Sequence, residues 1–232
     1  MQTVQVRFQK DVKLRKPYSY GPYNKYNDTE QWIRITEGCP NNCACCYEPT
    51  EIKIFDIPEI VRNKVKIMDM NLLCKPEAYD IIKALGSLRV NGKVIYYELI
   101  CGIDHRFLTQ EIANTLHKNR FQRIRIAWDG PFKDQRKIKK TIKTLQKAGY
   151  KNKELMVFMV CNYRIPMNEC LDKLDLCKIW RVKVSDCYFD GQKQRSRDPI
   201  IPEFWSGSDI KLFRHKVRIH NIMVNFGIDA TR

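Results

Sequence analysis

Residues 32–49 read Trp32-Ile33-Arg34-Ile35-Thr36-Glu37-Gly38-Cys39-Pro40-Asn41-Asn42-Cys43-Ala44-Cys45-Cys46-Tyr47-Glu48-Pro49. The first five residues carry the β-branched and aromatic character of a short strand, and Gly38, Pro40 and Asn41 break it into a turn. Four cysteines then crowd into the eight positions from Cys39 to Cys46. Thiolates at that density are what a soft metal requires: zinc, copper or an iron-sulfur cluster. A loop directly after a first strand also sits at the strand's C-terminal end, where α/β barrels build their active sites.

From Trp32 onward, strand-like runs alternate with amphipathic helical ones, the pattern of βα units on a parallel sheet. Six strands are expected, at Trp32 to Thr36, Val65 to Met68, Val94 to Leu99, Arg123 to Ala127, Leu155 to Cys161 and Trp180 to Val184. Helices are expected at Pro58 to Asn63, Pro76 to Leu85, Thr109 to His117, Asp134 to Ala148 and Asn168 to Ile179, several opened by Pro, Thr, Asp or Asn. Right-handed crossovers between such units close naturally into a curved α/β sheet, a partial (β/α)6 TIM-like barrel. The domain plan is a basic, tyrosine-rich arm over 1–30 with a short strand at Thr3 to Phe8, the core over 31–198, and a helical segment over 199–232. That last segment is expected to pack on the core as one or two helices between Asp209 and Val224.

Spacing narrows the metal. A structural zinc site closes with four ligands, commonly two separated pairs, and no second CxxC-like pair exists; Cys45 and Cys46 are adjacent and ill-suited to one ion. Cys39, Cys43 and Cys46 give CxxxCxxC, and this spacing after the first strand resembles the signature of the radical S-adenosylmethionine superfamily. The resemblance implies a [4Fe-4S] cluster on three thiolates, with the fourth iron open to the amino and carboxylate groups of S-adenosylmethionine. It further implies reductive cleavage to a 5'-deoxyadenosyl radical, an unknown substrate, and an electron donor such as flavodoxin or ferredoxin. The superfamily's usual aromatic before the third cysteine is replaced here by Cys45, read as a spare thiol, and Tyr47 just after it is the aromatic candidate for the cofactor.

Later segments are similar to the following βα units of uncharacterised radical enzymes. IMDMNLLCKPEAYDIIKAL offers Asp69 and Asn71, ICGIDHRFLTQEIANTLHKN offers Gly102, Asp104 and Arg106, and RIRIAWD and LMVFMVCNY offer Asp129 and Asn162. The resemblance places Asp69, Asn71, Asp104, Asp129 and Asn162 at the cofactor rim. Taken singly, such residues cap helices and shape turns; together they sit at successive strand ends. Most of Cys74, Cys101, Cys161, Cys170, Cys177 and Cys187 are read as reduced core residues. No histidine pairing, phosphate loop, GxSxG elbow or HExxH motif supports another enzyme class.

A formal charge of +16 over 232 residues gives a field that draws polyanions. Lysines and arginines concentrate between Lys133 and Lys153, in the tyrosine-bearing arm, at Lys193 to Arg197 and at Arg214 to Arg218, so a nucleic acid is a candidate partner. With no apolar leader and no membrane-length run, a cytoplasmic protein is expected. Two readings stand beside the radical enzyme: a nucleic-acid-binding protein with a structural zinc or cluster, and a radical-type domain that has lost turnover.

Overall fold

The computed structural model describes residues 19–41, 43, 46, 48–161, 165–188 and 205–228. Strand β1 (Tyr23–Tyr26) turns at Asn27, whose side-chain oxygen accepts from the Thr29 and Glu30 amides, and returns antiparallel as β2 (Gln31–Arg34). A small antiparallel ladder of β3 (Thr36–Glu37) and β4 (Lys53–Ile54) follows. Next come β5 (Lys64–Ile67) and helix α1 (Ala78–Ser87). The hairpin β6 (Arg89–Val90) and β7 (Lys93–Val94) turns on Asn91 and Gly92, both at positive φ, as a two-residue turn of this type demands.

The chain continues through β8 (Tyr96–Leu99), β9 (Ile103–Asp104), α2 (Gln110–Lys118) and β10 (Ile124–Ala127). It then runs through α3 (Gln135–Lys147), β11 (Leu155–Val160), α4 (Met167–Trp180), β12 (Lys183–Cys187) and α5 (Gly207–Phe226). Strands pair in the orders β1-β2-β5-β8 and β9-β10-β11-β12, and every neighbouring pair except β1–β2 is parallel. A parallel bridge between Tyr97 and Phe121 joins the two groups. The protein is therefore an α/β fold of parallel sheets, with β1 as an antiparallel edge. Among the described residues no pairing joins β12 back to β1 or β2.

Alternation decides the core. Val65, Ile67, Tyr97, Leu99, Ile124, Ile126, Leu155 and Val157 are buried along the strands and share one apolar core with the helix stripes Ile81, Ile82 and Leu85 of α1 and Ile138, Ile142 and Leu145 of α3. Each such side chain contributes about 1.5–3 kcal/mol on leaving water. The intervening strand residues Lys66, Arg125, Phe158 and Ser185 stay half-buried on the opposite face.

Three expectations shift. No helix forms at Pro58 to Asn63; the buried Gln31 side chain instead donates to the Glu59 carbonyl and accepts from the Val61 amide, pinning an extended crossover. The sixth strand starts at Lys183 because α4 runs on to Trp180 and stops at Arg181, which takes a left-handed conformation. The C-terminal segment forms one helix, α5, opened by a reciprocal Ser206–Asp209 capping box. The Asn221 amide of α5 exchanges two hydrogen bonds, 2.8 and 2.7 Å, with the backbone of Val184 in β12. The strand expected at Thr3 to Phe8 and the basic Lys193 to Arg197 segment lie outside the described residues. No described helix is long and apolar enough to cross a membrane.

Candidate functional site

The cysteine loop leaves and rejoins the body through the β3–β4 ladder, so its neck is closed by backbone pairing. The Gly38 peptide is held from both sides: its N–H donates to Glu48 Oε1 at 2.7 Å, and its carbonyl accepts from the Lys75 ammonium. Gly38 has φ +93°, and a Cβ there would overlap the Glu51 carbonyl, so only glycine fits. Within the loop, the Cys39 amide donates to the Pro49 carbonyl and the Cys46 amide to the Cys43 carbonyl, each at 2.8 Å. Glu48 and Lys75 are both buried, and the Lys75 ammonium lies 3.6 Å from Cys74 Sγ.

Cys39, Cys43 and Cys46 all line one cavity of about 580 Å³. Its wall is built from successive strand ends: Met70 and Asn71 after β5, Cys101 to Arg106 at β9, Ala127 to Gly130 at β10, and Phe158 and Val160 of β11. The expected rim positions Asn71, Asp104 and Asp129 are thus brought together with the three cysteines. Asn71, in a left-handed conformation, donates to Cys39 Sγ at 3.6 Å and accepts from the Asp104 amide at 3.3 Å. Asn41 donates to Asp104 Oδ2 at 2.7 Å, tying the loop to the β9 rim, and Arg106 closes a salt bridge of 2.5 Å on the same carboxylate. The Asp129 side chain accepts from the Val160 amide at 3.1 Å.

Asp69 goes elsewhere. It is 1 % exposed, and its carboxylate accepts from the Ile35 amide at 3.0 Å and the Thr36 hydroxyl at 2.7 Å. It fastens the end of β2 and is not among the residues that line the cavity. Tyr47, Asn162 and Cys45 lie outside the described residues. Cys101 lines the cavity instead of the core, and Cys74 lies under the loop beside Cys39. The sequence marked neither; a Cys-Lys pair before Pro76 is an ordinary helix approach.

The electrostatics are asymmetric. The Cys74 thiol hydrogen-bonded to Cys39, despite opposing burial, holds the Cys39 thiol well below the usual range, helped by Asn71 and Lys75. Burial pushes Cys43 and Cys46 up. Burial also raises Asp69, to about 6, and raises Asp129, which is open to the cavity yet crowded by protein. Hydrogen bonds and charge from Arg106 outweigh burial at Asp104 and lower it. A bound metal inverts the penalty at thiols, since coordination deprotonates them outright.

Among the described residues no three His, Cys, Asp or Glu side chains converge on a single-ion site, as mononuclear zinc would need. A cube of four irons takes its cysteines one per iron, and Cys39, Cys43 and Cys46 line one cavity. The donor set fits a cluster on Cys39, Cys43 and Cys46, with Asn71 and the Glu48 amide (3.4 Å from Cys46 Sγ) supplying hydrogen bonds to sulfur.

No family model matches the chain, and no curated protein matches it. Among solved structures it is similar to the radical S-adenosylmethionine methyltransferase TsrM from Kitasatospora setae, solved with cobalamin and a [4Fe-4S] cluster. The TM-score is 0.54 at 10% identity, over 67% of this chain and 36% of that one. The chain spans little more than a third of that protein's length, and the likeness is one of fold alone.

Proposed function

We propose that this chain is a radical S-adenosylmethionine enzyme whose Cys39, Cys43 and Cys46 hold a [4Fe-4S] cluster. The observation that carries this reading is the opening of all three cysteines into a cavity walled by successive strand ends. When bound there, the reduced cluster and S-adenosylmethionine supply one-electron cleavage of a carbon-sulfur bond and a 5'-deoxyadenosyl radical. The chain's own part is placement. Asn71 and Asp104 orient one wall, Asp129 another, and Tyr47 and Asn162 complete the proposed cofactor contacts. The parallel strands then form a curved six-unit partial barrel, with a flavodoxin or ferredoxin as electron donor.

Anaerobic reconstitution tests this. Wild type should bind four irons per chain and release 5'-deoxyadenosine with dithionite and S-adenosylmethionine, and the Cys39→Ala, Cys43→Ala, Cys46→Ala variant should do neither. Zinc in place of iron, with no nucleoside released, sinks the reading.

The same reading extends to a nucleic acid as substrate. On α3 the cations Arg136, Lys137, Lys139, Lys140, Lys143 and Lys147 are exposed, and Lys137 also lines the cavity. A polyanion bound along α3 would therefore meet the cavity mouth. Single-stranded RNA and DNA should bind at low salt with an affinity that falls steeply as salt rises; salt-independent or absent binding removes this part.

A further inference from the structure

Lys75 is 3 % exposed, and nothing in the chemistry above uses it. Its ammonium donates to the carbonyls of Gly38 and of Met70, the latter at 3.2 Å, and lies 3.6 Å from Cys74 Sγ. Taking an ammonium out of water is costly, by several kcal/mol after relaxation. Closing the loop explains only part of that cost, because a neutral donor would satisfy the same carbonyls. A neutral donor would lack the positive charge that Lys75 holds against the carbonyl of Gly38, the residue directly before Cys39.

We propose that Lys75 is a positioning residue that raises the reduction potential of the cluster by fixing a buried positive charge beside the Cys39 ligand. The inference rests on the reading that Cys39, Cys43 and Cys46 hold that cluster. One electron from an external donor adds one negative charge to the centre, and a cation at short range in a low-dielectric interior favours that state. The hydrogen bonds from Asn71 to Cys39 and from the Glu48 amide to Cys46 act in the same direction. Two buried carboxylates oppose it: Glu48, which accepts from the Gly38 amide, and Asp69, which accepts from the Ile35 amide and the Thr36 hydroxyl. Lys75 donates through one atom to the loop and acts on sulfur through space, so shape and charge can be separated by substitution.

The test is a potentiometric titration of the reconstituted full chain, followed by electron paramagnetic resonance, with no turnover required. Lys75→Gln keeps a donor for Gly38 and removes the charge. Its midpoint should fall by at least a tenfold shift in the one-electron equilibrium, about 59 mV, while Lys75→Arg stays near wild type. Glu48→Gln keeps an acceptor for the Gly38 amide and removes an anion; its midpoint should rise, and it decides the matter if Lys75→Gln does not fold. A Lys75→Gln protein with full iron content and an unchanged midpoint overturns the inference, as does an unmoved Glu48→Gln where Lys75→Gln is lost. A wild type that assembles no cluster overturns the cysteine reading itself, and this inference with it.

Discussion

Among the described residues two lysines are buried, and both fasten a loop at the C-terminal end of a strand. Lys75 holds the loop after β3 through Gly38, and Lys173 of α4 holds the loop after β10 through the carbonyls of Gly130 (2.7 Å) and Trp128 (3.4 Å). Their surroundings differ. Lys173 lies over the Trp128 ring, 5.2 Å from its centroid, within an aromatic stack that includes Phe132 and Trp180, and 3.6 Å from Glu169. Lys75 lies among thiols and buried carboxylates. A ring face rewards a cation for its position, whereas a nearby thiolate responds to its field. The same bond to a loop carbonyl thus serves shape at one strand end, and shape with charge at the other.

The sharpest break in this comparison uses the glycines that the two lysines hold. Gly38→Ala collides with backbone at positive φ, so iron retention after reconstitution should fall at least tenfold, a loss of the size expected when backbone cannot yield. At Gly130 a Cβ meets only the flexible Asp134 carboxylate, at 2.8 Å, so Gly130→Ala should retain iron as wild type does. Equal losses at both glycines would erase the distinction.

Next in size is Lys173→Met, which strands the Trp128 and Gly130 carbonyls while Glu169 keeps the Phe132 amide. It should cost about 4 kcal/mol in urea unfolding while iron binding and the midpoint potential persist; a shifted potential would make the two lysines equivalent. A pH series sharpens the charge half of the contrast. Burial holds Asp69 at about 6 in the folded protein, above its ordinary 3.8, so the folded state binds the proton more tightly. Stability should therefore fall as pH rises from 4 to 6, by on the order of 3 kcal/mol at most, and then level. Asp69→Asn should flatten that slope, measured as the difference in urea midpoint from wild type across pH 4 to 7. The smallest effect is Asn41→Ala, which removes the bond between loop and β9 rim; about 1 kcal/mol is expected, read as faster amide exchange in residues 38–52 alone.

Much of this was legible in the chain. Strand-like runs located six of the seven described parallel strands, missing the two-residue β9, and the cysteine spacing located the loop, because both signals are local. The pin that Gln31 places on Glu59 and Val61 was not legible, since the bond spans nearly thirty residues and replaces a helix that Pro58 and the residues after it otherwise suggest. Asp69 read as a rim residue because an acid after a strand looks alike whether it faces a cavity or a neighbouring backbone. Lys75, Cys74 and Cys101 carried no signal: a buried lysine and an exposed one are the same letter, and only the approach of Gly38 across the fold sets them apart.

The pairing of Asn221 with Val184 has a consequence for the order of events as the chain is made. An unpaired edge strand is a template for a second chain. Here the side-chain amide of a helix stands in for a neighbouring strand and occupies the backbone groups of Val184. Strand β12 is synthesised well before that helix is finished, so its outer rim stays available until residue 221 has emerged. During that interval the nascent protein is most open to strand exchange with its neighbours on the same message, and the arrival of α5 ends it.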